Sequence, residues 1–392
     1  MLGPLDGIRV LDFTRYQQGP YATALLADLG AEVIKVEARP NGEFGRQTER
    51  DESGFSPYFE SYNRGKRSLT LDLKRPEARE IVLRLLESCD ALVENFRPGV
   101  MERLGLGYEA LHARFPRLVY GSASAFGPNG PDAERPGFDH IAQAISGFMI
   151  EQAGGPGNEP QPGLPGLADQ VSAGLFAFAL VSALLARGRT GEGQHVEVSL
   201  LGSMIALQGR QFLRFLKTGK QGRRHWRRSA VYTHYRAADG WVAIAAQDPQ
   251  RWAPLCRALG REDWIDDPRF RGPWERSRND DALVALLEET FLQKTVAEWL
   301  ERLHAEDVPC GPVNDYRALV ENPQLEANGY VTTVEHPSAG TLRTPGIPFH
   351  FSGTPPPPVR PAPELGQDSE ALLLDLGYTW EQIEALRRDE VI

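Results

Sequence analysis

The feature that most constrains the fold is an alternation of short apolar runs with helical segments near the N-terminus. Ile8 to Phe13 is a short apolar run, Tyr21 to Leu29 has helical character and ends at Gly30, and Glu32 to Val36 is a second, largely apolar run. Such runs are typical of buried strands, and a strand followed by a helix and another strand is the unit of a parallel sheet. The pattern predicts an α/β protein.

The alternation continues through the first half of the chain. The further strands predicted are Ser68–Leu73, Ala91–Val93, Leu118–Gly121 and His195–Val198, and the further helices are Pro76–Ser88, Tyr108–Phe115, the apolar run Val171–Ala186 and a segment that reaches about Leu216. Proline suits the first position of a helix, as at Pro76. We therefore expect a doubly wound, Rossmann-like large domain built on a parallel sheet.

Changes in composition indicate where the large domain is interrupted. Lys217 to Arg228 is polar and strongly basic, which suits a linker, and Tyr232 to Ala246 then alternates like a hairpin. We expect residues 1–217 to form the N-terminal part of the large domain, 218–230 a linker, 231–325 a smaller α+β domain, and 326–392 a return linker and the C-terminal part of the large domain. The run TPPPPVRPAP, from Thr354 to Pro363, favours an extended polyproline conformation, either as a strap across the protein or as a recognition ligand.

Composition and missing motifs argue against several functions. The formal net charge of −10 disfavours nucleic-acid binding, which requires clustered Lys and Arg. No G-x-x-x-x-G-K-[ST] loop occurs, so an ATP-driven ligase is not supported, and no G-x-G-x-x-G occurs, so a nicotinamide cofactor is not expected. Neither the histidines nor the cysteines show metal-ligand spacing, so no metal site and no tightly bound cofactor are predicted.

The N-terminal segment lacks the basic and apolar regions of a signal peptide, so we expect a cytoplasmic protein. Cys89, Cys256 and Cys310 are far apart and are expected to be free thiols. The uncharged run Val171 to Ala186 is shorter than the roughly 20 residues that cross a bilayer, so no membrane association is expected.

Asp169 lies where a Gly/Pro-rich stretch, GLPGLADQVSAG, gives way to the long apolar helix. One interpretation is a helix N-cap, because an aspartate there accepts hydrogen bonds from the first backbone N–H groups. The other is a carboxylate nucleophile, because the small neighbours Gly163, Gly166 and Gly174 leave room for an acyl group. The two interpretations are compatible.

Polar and basic residues follow the predicted strand ends, where open α/β sheets bind ligands. Gln17 and Gln18 lie in the first strand-to-helix turn, which is either a ligand site or an ordinary polar turn. After a later strand the chain carries an amide, a flat ring and two guanidinium groups, namely Asn95, Phe96, Arg97 and Arg103. That mixture suits an adenine that carries phosphates. The basic cluster from Arg223 to Arg228 is either a solvated linker or a site for an anion.

Over essentially its whole length the chain resembles the class III coenzyme A transferases, the family that contains formyl-CoA transferase and carnitine CoA-transferase. The resemblance lies in several blocks in the right order, namely LDGIRVLDFTR with QGPYAT, LLADLGAEVIKVE, NRGKRSLTLDLK, VENFRPGVMERLGLGYEAL, GFDHIAQAISG, GLADQVSAGLFA and RTGEGQHVEVSL. It implies transfer of coenzyme A from an acyl-CoA to a carboxylic acid. The sequence leaves the donor acid open, and succinyl-CoA is one candidate. The resemblance also implies a homodimer of two interlocked rings.

The resemblance assigns roles to particular residues. Asp169 is implied to form a mixed anhydride with the donor acyl group and then an aspartyl-CoA thioester, with acyl-CoA as substrate rather than resident cofactor. The implied contacts with coenzyme A are Gln17, Gln18, Leu71, Asp72, Leu73, Lys74, Asn95, Phe96, Arg97, Arg103, Gly137, Phe138 and Asp139.

The chain departs from the family pattern in three places. Ala38 stands where some relatives have a phosphate-binding arginine, and Arg39 beside it is the candidate substitute. Phe138 replaces a tyrosine near the pantetheine, so that hydroxyl is lost. The glycine-rich loop of formyl-CoA transferase has no counterpart between Leu216 and Gln247, so formyl-CoA and oxalate are not the expected substrates.

Two other functions stay open on the sequence. An α-methylacyl-CoA racemase of this fold takes its second acid/base residue from a G-H-D segment, which here is Gly137-Phe138-Asp139, with His140 next. Phenylalanine cannot exchange a proton, so transfer is favoured. The other function is a non-catalytic acyl-CoA-binding protein in which Asp169 only caps its helix, because a fold does not decide a function.

Overall fold

Six parallel strands form a sheet in the computed structural model, which describes residues 3–221 and 229–392. The strands are Arg9–Asp12 (β1), Glu32–Glu37 (β2), Arg67–Thr70 (β3), Ala91–Glu94 (β4), Val119–Ser124 (β5) and His195–Ser199 (β6). Their order is β3-β2-β1-β4-β5-β6, and all neighbours pair in parallel. The predicted α/β class with a parallel sheet is confirmed. The strand order reverses between β1 and β4, where such sheets leave a crevice for ligands.

Helices connect these strands in the manner of a doubly wound sheet. They are Gln18–Asp28 (α1), Pro57–Asn63 (α2), Pro76–Leu86 (α3), Val100–Arg103 (α4), Tyr108–Arg114 (α5), Asp139–Ile145 (α6), Phe148–Gln152 (α7), Leu167–Thr190 (α8), Leu200–Leu207 (α9) and Gly209–Thr218 (α10), with a 3-10 turn at Phe44–Gln47. β3 ends at Thr70, so the prediction of a strand to Leu73 is wrong, and residues 71–74 form a loop beyond its carboxyl end.

Both faces of the sheet are buried. Val10 and Leu11 are adjacent on β1, and successive side chains on a strand point to opposite faces. Val10 packs in the apolar layer that contains Leu26 of α1 and Phe176 of α8. Leu11 packs in the opposite layer, which contains Ile81 of α3. Burial on both faces explains why these strands are continuously apolar rather than alternating.

α8 is longer than predicted. It spans 24 residues, so the prediction that its apolar segment is too short for a bilayer is wrong. By length and composition alone it is the one helix among the described residues that could cross a membrane, a property that core helices of soluble proteins share. Phe176 and Leu180 are fully buried in the layer against the sheet.

A second, smaller group of elements follows. It contains the antiparallel strands Tyr232–Arg236 (β7), Trp241–Ala245 (β8) and Cys310–Pro312 (β9), and the helices Trp252–Leu259 (α11), Pro273–Arg278 (α12), Asp280–Phe291 (α13), Val296–Ala305 (α14) and Tyr316–Val320 (α15). Its core includes Tyr235, Phe291 and Trp299, and the rings of Tyr235 and Phe291 stack at 4.9 Å between centroids. The hydroxyl of Tyr235 donates to the carbonyl of Ala230, so its polar atom is satisfied inside the core.

Contacts between residues divide the chain into two compact units. The described residues of 1–150, 160–220 and 324–392 form the first unit, and those of 151–159 and 221–323 form the second. The sequence did not indicate that 151–159 belongs with the second unit. The domain boundaries proposed at 217, 230 and 325 stay predictions. The basic cluster Arg223 to Arg228 lies outside the described residues.

The C-terminal segment returns to the first unit. Its elements are Pro323–Ala327 (α16), Val331–His336 (β10), Gly340–Pro345 (β11), Ser369–Asp375 (α17) and Trp380–Arg388 (α18). The proline-rich run lies along that unit as a strap, since Gly65 N donates to Pro361 O at 3.1 Å and Arg46 Nη2 donates to Pro363 O at 3.0 Å.

A buried ion pair joins the end of β1 to the start of β3. Asp12 and Lys66 are both inaccessible to solvent, and Lys66 Nζ lies 2.9 Å from Asp12 Oδ2. Lys66 Nζ also donates to Pro20 O and Asn63 Oδ1, each at 2.9 Å. All three of its donors are therefore used, and the network holds β1, α1 and α2 together behind the first strand-to-helix turn.

We expect Lys66→Met to destabilise the protein by about 3–5 kcal/mol, because it removes the counter-charge that contacts the buried Asp12 carboxylate. Urea unfolding measures the loss. The double variant Asp12→Asn/Lys66→Met should recover part of it, and Lys220→Met, at an exposed lysine, is the matched control. A single variant as stable as the wild type would contradict this account of the network.

Candidate active site

Asp169 is the third residue of α8, and the residue that caps the helix is Gly166, with φ at +82°. The interpretation of Asp169 as an N-cap is therefore wrong. The residue is half-buried, and within the described chain its carboxylate accepts no hydrogen bond. A carboxylate in the first turn still benefits from the helix dipole, but its oxygens are free for a ligand.

Asp139, at the start of α6, supplies the acceptors that a capping residue of α8 would otherwise supply. Its Oδ2 accepts from Gly166 N at 3.0 Å and its Oδ1 from Ala168 N at 2.6 Å. The positive φ of Gly166 favours glycine at this position. A Cβ there would also lie 2.3 Å from Gln17 Nε2. Gln17 Nε2 donates weakly to Gly166 O at 3.4 Å.

The carboxylate of Asp169 faces a cavity of about 260 Å³ at the carboxyl ends of β1, β4 and β5. Of the residues proposed from the sequence, the structure brings into its wall Gln18, Asn95, Phe96, Arg97, Gly137, Phe138 and Asp169. Arg15, Tyr16 and Arg135 line it as well. The crevice at the reversal of strand order therefore coincides with the candidate nucleophile.

Two amide side chains in this wall hold neighbouring segments in place. Asn95 exchanges two hydrogen bonds with the backbone of Arg15, each at 2.8 Å, and so fixes the turn after β1. Gln18 Nε2 donates to Ser172 Oγ at 2.7 Å, on the helical turn that follows Asp169. Both amides thus have structural partners besides any ligand.

Other proposed contacts lie outside the cavity wall. Gln17 is buried behind Gly166, and Asp139 caps α8. The Leu71 side chain is fully buried in the core, which leaves only its backbone for a ligand. The guanidinium of Arg39 donates to the carbonyl of Ile392. Asp72 and Leu73 are half-buried, and Lys74 and Arg103 are exposed. Their roles in binding coenzyme A stay predictions.

Aromatic residues from separate segments lie near Asp169 and Tyr16, and apart from Phe138 the sequence did not reveal them. The ring of Tyr16 packs edge-on against Phe138 at 5.4 Å between centroids, and against Phe44 at 5.9 Å. Burial raises the pKa values of Tyr58 and Tyr62 on α2, and the negative charge of Asp169 adds to the effect in both. Of the others, only Tyr16 lies next to a residue that the sequence had pointed to, Gln17 in the first strand-to-helix turn.

Tyr16 has a left-handed backbone, with φ at +66°, which is unusual for a residue with a side chain. Its N–H donates to Glu43 Oε2 at 3.0 Å. Glu43 is buried, and its Oε1 lies 3.5 Å from Lys35 Nζ. A buried carboxyl acceptor thus offsets the cost of the strained turn that presents Tyr16 and Gln18 to the cavity.

Burial raises the pKa of Asp169 from 3.8 to about 7, and the negative charge of Asp139 adds to this rise. A carboxylate that ionises near neutral pH is more basic than an exposed aspartate and is correspondingly more nucleophilic. Within the described ranges, no group of three or more His, Cys, Asp or Glu side chains is arranged to hold a metal ion.

Comparison with known proteins identifies the family. The model of CoA-transferase family III matches residues 5–369. The chain therefore belongs to CoA-transferase family III and is an enzyme of that class, as the sequence blocks implied.

Characterised relatives of similar length share about a third of the residues. Succinyl-CoA:glutarate CoA-transferase of Mus musculus is 36% identical, over 99% of this chain and 90% of the relative. Acetyl-CoA:oxalate CoA-transferase of Acetobacter aceti is 37% identical, over 94% and 95%. Succinyl-CoA:mesaconate CoA-transferase of Haloarcula hispanica is 36% identical, over 96% and 97%.

Solved structures show the same fold. The crystal structure of Rv3272 from Mycobacterium tuberculosis has a TM-score of 0.83 at 36% identity and covers 94% of this chain and 99% of its own. The structure of a CAIB/BAIF family protein from Brucella suis has a TM-score of 0.84 at 34% identity and covers 96% of this chain and 100% of its own.

Asp169→Asn should stabilise the folded protein at alkaline pH. Because the pKa of Asp169 is raised from 3.8 to about 7, the unfolded chain ionises this carboxyl first, and wild-type stability falls as pH rises between these values. The variant should therefore equal the wild type near about pH 4 and exceed it by roughly 1–3 kcal/mol above about pH 8.

Urea unfolding at a series of pH values measures this difference. Asp6→Asn, at an exposed aspartate, is the control and should show no such divergence. A constant difference between Asp169→Asn and the wild type across the series would show that Asp169 ionises normally in the folded state.

Proposed function

We propose that this enzyme transfers coenzyme A between carboxylic acids with Asp169 as a covalent nucleophile. An Asp169 oxygen attacks the thioester carbonyl carbon of the donor, the C–S bond breaks, and coenzyme A leaves as a thiolate. The product on the protein is a mixed anhydride. The thiolate then attacks the Asp169 carbonyl carbon, which releases the donor acid and leaves an aspartyl-CoA thioester.

The second half of the cycle repeats these steps in reverse order. The acceptor carboxylate attacks the aspartyl thioester, expels the thiolate and forms a new mixed anhydride. The thiolate attacks the acceptor carbonyl carbon, which yields the new acyl-CoA and restores the Asp169 carboxylate. The free energy of the donor thioester is kept in the anhydride and aspartyl-CoA bonds until the acceptor is activated, so no nucleotide is hydrolysed.

The observation that carries the proposal is the state of the Asp169 carboxylate. It is half-buried, without a hydrogen-bond donor among the described residues, and in the wall of a cavity at the carboxyl ends of the strands. A carboxylate with only a structural role would be paired, because burying an unpaired one is costly.

The cavity wall supports a coenzyme A site. Phe96 offers a flat ring, with the Arg15 guanidinium 5.0 Å from its centroid. Among the described residues, neither Arg15 nor Arg97 has a carboxylate within 4.0 Å, so their charges are available for phosphate groups. Arg103 is exposed on α4, which follows this segment directly.

Among the described residues, the cavity wall offers the racemase alternative neither a histidine nor a second carboxylate. Phe138 is 58% exposed and has no proton to exchange. Both oxygens of Asp139 are occupied as acceptors, and His140 is exposed and outside the cavity wall. Proton exchange at an α-carbon requires groups on both of its faces, so the arrangement favours transfer.

We propose a short dicarboxylic acid as acceptor and succinyl-CoA as donor. The names of three relatives specify glutarate, oxalate and mesaconate as the acids, and two of them specify succinyl-CoA. Arginines in the cavity wall suit substrates that keep a second carboxylate after one has become a thioester.

We also propose that the enzyme acts as a homodimer in the cytoplasm. α8 and α10 expose large apolar side chains, with Phe178 at 73% and Leu213 at 67% exposure. None of the residues of α10 is buried. Exposed apolar patches of this kind mark protein interfaces, and a second copy of the chain would cover them.

Asp169→Asn should lower kcat for transfer by roughly 10³-fold or more, because an amide oxygen is a poor nucleophile. The assay mixes succinyl-CoA with glutarate, mesaconate or oxalate and detects the new acyl-CoA by mass spectrometry. Wild-type enzyme should carry an acyl or CoA adduct on the peptide that contains Asp169. Asp6→Asn is the control.

Three results would reject or redirect this proposal. Turnover retained by Asp169→Asn would remove Asp169 as nucleophile. Binding of CoA without any exchange would indicate a binding protein. Exchange of α-deuterium from solvent without a new acyl-CoA would indicate a racemase.

The kcat/KM for the donor should rise with pH between about 5.5 and 8 and then level off. The reason is that Asp169 must be ionised to attack, and its pKa in the free enzyme is about 7. Initial rates in constant ionic strength buffers measure the profile, with succinyl-CoA stability checked at each pH. A flat profile over this range would contradict the raised pKa.

A further inference from the structure

α6 presents two side chains, Asp139 and Gln143, one helical turn apart toward the segment that precedes α8. Asp139 accepts from Gly166 N and Ala168 N. Gln143 Oε1 accepts from Gly163 N at 2.8 Å, and its Nε2 donates to Leu164 O at 3.3 Å. Four backbone groups of residues 163–168 are thus bound from one short helix.

The two side chains are also bound to each other. Gln143 Nε2 donates to Asp139 Oδ2 at 2.8 Å, which fixes the orientation of the carboxylate. Gln143 is 1% exposed, so this polar group is buried with all of its amide atoms engaged. A buried network in which every member is satisfied is rigid.

The segment that they hold has little stiffness of its own. It reads GLPGLA, with two glycines in six residues, and Gly166 has a conformation that other residues avoid. Besides these contacts, its described backbone bonds are the local turn Leu167 N to Leu164 O, the first helical bond and the long contact from Gln17 Nε2 to Gly166 O at 3.4 Å. Asp169 comes directly after this segment. The position of the Asp169 carboxylate therefore depends on how firmly the segment is held.

We propose that Asp139 and Gln143 form a clamp that positions the Asp169 carboxylate for attack and that Asp139 is a positioning residue rather than a coenzyme A contact. This inference rests on the proposed role of Asp169 as nucleophile. It assigns Asp139 a function different from the one that the family resemblance implied.

The clamp also acts through charge. The ionisable groups that face Asp169 are Tyr58 and Tyr62 from α2 and Asp139 from α6, with Tyr16, Arg15, Arg97 and Arg135 elsewhere in the cavity wall. Of these, Asp139 is the one whose charge contributes to the raised pKa of Asp169, after burial. Removing that charge lowers the pKa, and removing the hydrogen bonds loosens the segment.

The test separates placement from charge with two variants. Asp139→Asn removes the charge and one acceptor, so kcat should fall roughly 10- to 100-fold, with KM for succinyl-CoA within about threefold. The midpoint of its pH profile should move to lower pH by about one unit. Gln143→Ala keeps the charge, so kcat should fall with the midpoint nearly unchanged. Glu134→Gln, at an exposed glutamate in the preceding loop, is the matched control.

Several outcomes would overturn the clamp. Wild-type kcat and pH midpoint in Asp139→Asn would show that Asp139 does not position the nucleophile. A rise in KM with unchanged kcat would show a coenzyme A contact instead. If Asp139→Asn does not fold, Gln143→Ala decides the question of placement, and wild-type kcat in that variant rejects the proposal.

Asp169→Asn is measured in parallel so that the two proposals fail separately. An active Asp169→Asn rejects the proposed function and the clamp with it. An inactive Asp169→Asn together with a fully active Asp139→Asn rejects the clamp alone.

Discussion

The first backbone amides of α8 need acceptors, and they find them on another helix rather than on a capping side chain of their own. Asp139 accepts from Gly166 N and Ala168 N. Because this need is met from outside, Asp169 is not used as a cap, and its oxygens stay unpaired within the described chain. The availability of the nucleophile thus depends on a structural hydrogen bond made by a different residue.

Burial and negative charge then act on Asp169 in the same direction. Both raise its pKa, to about 7, so the group is kept basic at the cost of some stability at neutral and alkaline pH. Buried ion pairs behind the first strand-to-helix turn hold the opposite wall, with Lys66 bound to Asp12 and Lys35 near Glu43. The polar interior of the first unit supports the geometry of the cavity rather than forming part of its surface.

Several features of the site were predictable because they lie in continuous segments. Gln18, Asn95, Phe96 and Arg97 follow strand ends, and the carboxyl ends of parallel strands meet at one edge of a sheet, so their meeting in one cavity follows from the strand pattern. Tyr58 and Phe44 were not predictable, because they belong to segments without a motif. They approach Asp169 and Tyr16 only when the chain has folded.

The sequence by itself determined the α/β class, the family and the identity of the candidate nucleophile, because periodicity and motif blocks are local properties of the chain. Tertiary structure alone decided what each polar side chain does. Asp139 was assigned to a ligand and serves as a cap, and Asp169 was allowed a capping role and has none. Hydrogen-bond partners depend on distances between residues far apart in the chain, and local patterns carry no information on those distances.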